Sequence, residues 1–220
     1  MKLKIILLAS AILMLVSLSM IFVFVPTEAQ QGVIQRIFYF HVPVAWVAFF
    51  AFFVTFVAGV GYLIKRNLHW DTIASISAEI GLVFTTLILI TGSIWARPIW
   101  GVWWTWDARL TASLVLWLIY LSYFILRAYI SEDERRARFS AVVGIVGFID
   151  VPIVAFAINF ANTAHPSAGI FSDGMDGRML LTLLLSIAAF TVMYLLFMMV
   201  GIQLRKNEQE LKILKEAMKE

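Results

Sequence analysis

The stretch Val42-Pro-Val-Ala-Trp-Val-Ala-Phe-Phe-Ala-Phe-Phe-Val-Thr-Phe-Val-Ala-Gly-Val-Gly-Tyr-Leu-Ile64 carries no charged side chain and is apolar on every face of a helix drawn through it. Such a helix has no side to turn toward water. It is also about as long as the roughly 20 residues that cross a hydrocarbon core of about 30 Å. Runs of the same kind recur at 5–25, 72–94, 110–126, 141–160 and 179–204. Composition agrees: 62% of the residues are hydrophobic and 14% charged, against about 45–50% and 25% in soluble domains. The reading is an all-α, polytopic protein with six transmembrane helices. Residues 1–204 form one membrane domain and 205–220 a charged tail.

The first run is preceded by Lys2 and Lys4 and followed by Thr27-Glu28-Ala29, which resembles a weak cleavage site. Its apolar length exceeds the roughly 7–15 residues of a signal sequence, so it reads as a retained anchor.

Charge distribution orients the spans. With the N-terminus inside, thirteen basic residues fall on inner segments, while Arg36, Arg97, Arg109 and Arg178 fall on outer ones. Positively charged segments favour the cytoplasmic side, which puts both termini there. No basic block suggests a nucleic-acid partner. The absence of cysteine excludes a dithiol site, a thiolate metal site, a disulfide and a covalent c-type haem motif.

The unusual chemistry then lies in three outer segments, 26–41, 95–109 and 161–178. The middle one, extended to 111, holds Trp95, Trp100, Trp103, Trp104 and Trp106, five of the eight tryptophans. An interfacial aromatic belt is one explanation, but a belt spreads its tryptophans around many helix ends. Five in one segment suit a platform for a flat aromatic ligand, with indole faces for stacking and N–H edges for polar groups. Arg97 and Arg109 flank the platform and suit carboxylates. Asp107 is placed to order the segment or to orient a donor.

His41 precedes the second run and His165 lies in the last outer segment. Neutral imidazole is a good ligand for haem iron, and one histidine from each side of the tryptophans would make the iron six-coordinate. Pro43 and Pro166 follow the histidines closely and restrict helix there, so both rings are expected at segment ends near the aqueous edge. His69, in a short inner loop, reads as structural or solvated. Glu79 and Asp150 lie inside spans; helix packing is the plainer explanation and a proton or ligand path the sharper one. Pro152, two residues after Asp150, is expected to kink the fifth span.

Trp100-Gly-Val-Trp103-Trp104-Thr-Trp106-Asp107-Ala-Arg109-Leu-Thr111 reproduces without a gap the signature W-G-x-W-W-x-W-D-x-R-L-T. With Phe40-His41-Val42-Pro43 and Asn162-Thr163-Ala164-His165, it makes nearly the whole chain resemble the haem exporter protein C (CcmC-type) family of cytochrome c biogenesis, within the tryptophan-rich haem-handling proteins. The resemblance implies haem held by the tryptophan segment and ligated by His41 and His165. It also implies delivery to a membrane-anchored periplasmic haem chaperone, with an ABC-type ATPase and its membrane subunit as partners, at the bacterial inner membrane. One departure is the segment 157–163, which lacks two tryptophans found in many relatives.

The site expected from the sequence therefore comprises Trp100, Trp103, Trp104, Trp106, Asp107, Arg97 and Arg109 around haem, with His41 and His165 on its iron. No catalytic nucleophile or general base is evident, so the reading is a binding and transfer protein rather than an enzyme. Two rivals are a membrane b-type cytochrome carrying electrons, which predicts histidines at span depth, and a small-molecule permease using Glu79 and Asp150.

Overall fold

In lipid every backbone N–H and C=O must find its partner within the protein, and helices do this segment by segment. The structure is a computed structural model that describes residues 2–160 and 175–218. Helix α1 is Lys2–Ser19, closed by a π-helical turn at Met20–Phe24. A 3-10 turn at Val33–Ile37 leads into α2, Phe38–Lys65. Then follow α3 (Leu68–Trp100), α4 (Ala108–Tyr129), α5 (Asp133–Phe148), α6 (Asp150–Phe160) and α7 (Gly177–Ala217). Among the described residues six segments are long and apolar enough to cross a membrane, the fifth made by α5 and α6 together. The all-α, six-span expectation holds.

Two boundaries differ from those read in the sequence, at Pro43 and at the end of the third span. Pro43 does not mark a segment end, because α2 starts at Phe38 and takes Pro43 into its second turn. Likewise α3 runs through Pro98 to Trp100, so only residues 101–107 of the tryptophan segment are non-helical. A proline removes one N–H, yet its φ fits a helix, and partner helices support the turn. What ends α3 is Gly101, at φ +77°, whose N–H bonds the Arg97 carbonyl at 3.0 Å, a left-handed cap that glycine adopts without steric cost. In the fifth span Pro152 cannot donate to the carbonyl of Phe148. The helix breaks at Ile149, whose N–H turns to Val146 O at 3.1 Å, as the expected kink required.

Helices in lipid associate through close packing and a few hydrogen bonds rather than through exclusion of water. α2 and α3 pack tightly: a Cβ added at Gly81 would lie 2.4 Å from Phe52. The absent side chain leaves room for the Phe52 ring, which stacks on Tyr120 of α4 at 3.6 Å and 14°. Between helices Ser77 bonds Tyr194 at 2.8 Å and Trp117 donates to Thr86 at 2.8 Å. Ser17 bonds Ser186 at 2.9 Å, while Ile21 packs with Met179 and Leu183. As numbers rise along α1 they fall along α7, so these helices are antiparallel. Residues 2 and 217 therefore lie toward the same end of the bundle.

At the end opposite the tryptophans, Asp71 of α3 accepts two bonds from Arg127 of α4, at 2.6 and 3.0 Å. Glu79 is exposed on the bundle surface, while Asp150 opens α6. Among the described residues, neither lines the cavity described next.

Candidate functional site

His41 lies in the first turn of α2, beside α3, and is buried, with 8% of its surface exposed. It lines a cleft whose wall also includes Trp95 and Trp100 of α3, Trp104 of the connecting segment and Arg109 of α4. Gln31, Phe49 and Val154 close other parts of the wall. The cleft thus reaches from the connections at the tryptophan end of the bundle down between helices.

Local structure explains how the polar groups are set. Asp107 is the N-cap of α4: its Oδ1 accepts from the backbone N–H groups of Arg109 and Leu110 at 3.0 and 3.1 Å. Thr105 donates to its other oxygen at 2.8 Å. Capping joins the tryptophan segment to the helix carrying Arg109. Trp106, the residue before the cap, takes a positive φ of 55°, uncommon for a bulky side chain. Here the chain turns from the extended path a flat tryptophan face would need. Trp104 and Trp106 meet edge to face, with centroids 5.8 Å apart and planes at 77°.

The candidate residues consequently divide. Trp100, Trp104, Arg109 and His41 come together on the cleft. Trp103 and Trp106 are exposed outside it, at 58% and 70%. Arg97 is exposed and donates to the Gly101 carbonyl at the end of α3, so it serves the helix terminus. Asp107 orders the segment. His165 lies outside the described residues.

Sequence reasoning also missed members of the wall. Gln31 Oε1 accepts from Trp95 Nε1 at 3.0 Å, fixing the plane of an indole that meets the His41 ring edge-on at 5.8 Å and 66°. Thr91 bonds His41, and Gly92 lies against it. A glutamine in an outer loop and a threonine inside a span carry no signal of their own.

Chemically, the wall combines indole faces, an imidazole, a guanidinium and aliphatic side chains. Trp104 Nε1 is buried and makes no hydrogen bond among the described residues; such a donor is costly to leave unmet. These groups suit a flat, largely apolar molecule with acceptor or carboxylate substituents. The sequence match is equally directed: the family profile for Heme exporter protein C matches residues 1–217.

The chain belongs to the haem exporter protein C family. Its relatives of that description include one from Bradyrhizobium diazoefficiens, 40% identical over 186 residues, which cover 83% of this chain and 70% of the relative. Haem exporter protein C of Haemophilus influenzae is 34% identical over 194 residues, covering 86% and 78%. That of Escherichia coli K12 is 34% identical over 175 residues, covering 78% and 70%. The tryptophan segment, His41 and the cleft they share thus sit within a haem exporter protein C fold.

Proposed function

We propose that this protein takes haem as its cargo at the outer face of the bacterial inner membrane and passes it to a membrane-anchored periplasmic haem chaperone during cytochrome c maturation. An ABC-type ATPase and its membrane subunit act with it. Both termini and the charged tail lie in the cytoplasm, in keeping with the excess of basic residues on those segments.

The observation that carries the reading is that His41, Trp95, Trp100, Trp104 and Arg109 line a single cleft. His41 would supply one nitrogen to the iron, and His165 the other from the opposite outer segment. Trp100 and Trp104 lie where the macrocycle edge would rest, with the buried Trp104 N–H available to a polar edge group. Arg109 suits a propionate, because guanidinium pairs with carboxylate through two parallel bonds. Trp103 and Trp106, exposed on the outer surface, suit the face that meets the chaperone or the headgroup layer.

The test is an optical spectrum of the purified protein beside His41→Ala and His165→Ala. A six-coordinate haem spectrum in the parent, lost or altered in both variants, is the expected result. Full haem retention with an unchanged spectrum in either variant would overturn the paired ligation. A parent that takes up no haem, even when haem is added, would favour a permease.

A further inference from the structure

His41 is held by three neighbours that all come from one stretch of α3. Its Nδ1 lies 2.8 Å from Thr91 Oγ1. Its Cε1 lies where a side chain at Gly92 would begin, since a Cβ added there would be 3.2 Å away. The Trp95 ring meets it edge-on at 5.8 Å. Residues 91, 92 and 95 are one helical turn, so α3 presents a preformed seat for this imidazole.

The hydrogen bonds made by Thr91 bear on which nitrogen carries the proton. A threonine hydroxyl has one proton to give and lone pairs to accept with. The Thr91 hydroxyl proton is directed at the Leu87 carbonyl, 2.6 Å away, with Ile88 O at 3.5 Å. With that donation made, its oxygen is left to accept toward His41, an arrangement that suits a proton on Nδ1. In a neutral imidazole with Nδ1–H, the nitrogen bearing the lone pair is Nε2. A second hydrogen bond of this kind orients a metal-binding histidine and raises its basicity.

We infer that Thr91 is a positioning residue: by accepting from Nδ1–H it selects the tautomer in which His41 presents Nε2 to the haem iron, with Gly92 leaving room for the ring. This rests on the reading that His41 ligates iron. Thr91 touches neither haem nor iron in this scheme and acts through the imidazole.

Two experiments test it. The first needs no haem and no variant beyond histidine assignments. The chain has three histidines, so nitrogen-15 labelling of histidine resolves each ring by magnetic resonance. The expected result is a neutral His41 ring protonated at Nδ1; protonation at Nε2 would overturn the inference.

The second compares Thr91→Val, which keeps the shape and removes the acceptor, with Thr91→Ser, which keeps the hydroxyl. Thr91→Val is expected to bind haem about tenfold more weakly, at the lower end of effects on outer-shell partners of metal ligands. It should also raise the haem midpoint potential, because a less basic imidazole favours ferric iron less. Thr91→Ser is expected to restore both. His41→Ala is measured alongside. If it leaves the haem spectrum unchanged, ligation by His41 fails. If it abolishes the six-coordinate spectrum while Thr91→Val matches the parent in affinity and potential, ligation stands and the role of Thr91 fails.

Discussion

The indole N–H of Trp95 donates to Gln31 Oε1 across 3.0 Å, joining the first outer connection to the end of α3. Trp95 in turn meets His41 edge-on, so the glutamine reaches the candidate ligand through one intermediary. Gln31→Leu removes the acceptor and leaves the indole N–H to find water or rotate. A neutral hydrogen bond contributes about 1 kcal/mol net, so haem affinity is expected to fall roughly fivefold in a titration. The iron spectrum should stay that of the parent. A change of ligation state would instead place Gln31 on the iron side of the site.

Asp107 separates a charge requirement from a capping requirement. Asparagine caps a helix about as well as aspartate, whereas alanine costs about 1 kcal/mol. Asp107→Asn is therefore expected to keep most haem binding and thermal stability, and Asp107→Ala to lower both. Equal loss in the two variants would mean that the negative charge, rather than the caps on Arg109 and Leu110, is what the site needs.

At the far end of the bundle, the Asp71–Arg127 pair is nearly buried, with side-chain exposures of 9% and 15%. Tyr123 lies beneath the guanidinium at 5.6 Å. Removing one partner strands the other's charge, which typically costs about 3–5 kcal/mol. Asp71→Leu should lower the melting temperature in detergent sharply, and adding Arg127→Met should recover a large part of the loss. Failure of the double variant to recover would assign the effect to packing at position 71.

The lack of cysteine makes topology directly measurable, because any cysteine introduced is unique. Val102, beyond the end of α3, and Glu132, just before α5, are both exposed. With intact spheroplasts and a membrane-impermeant maleimide, Val102→Cys is expected to react at once. Glu132→Cys should react only after the membrane is opened. The reverse pattern would invert the orientation drawn from the basic residues.

Much of the architecture was legible because membrane spans are announced by composition. The run from Val42 to Ile64 is apolar whatever its neighbours do, and lipid leaves it helical. Helix ends were harder. Pro43 reads as a boundary and the third apolar run ends at 94, yet α2 runs through Pro43 and α3 continues through Pro98 until Gly101 stops it with a left-handed cap. At the site, the signature named Trp100, Trp104 and Arg109, which do meet on the cleft with His41. It also named Trp103 and Trp106, and Arg97 flanks it; these three lie off the cleft, because the turn at Trp106 and the bond from Arg97 to Gly101 depend on local backbone geometry.

Composition and motif alone set the solvent, the number of crossings, the family and the kinds of chemical group available. Those follow from side-chain transfer energies and from an uninterrupted motif, neither of which needs coordinates. Only the tertiary structure decided which groups share a wall, that Gln31 sets Trp95, and that Thr91 and Gly92 seat His41. Such contacts join residues far apart in the chain, and their direction is set by how helices pack, which no local pattern of residues records.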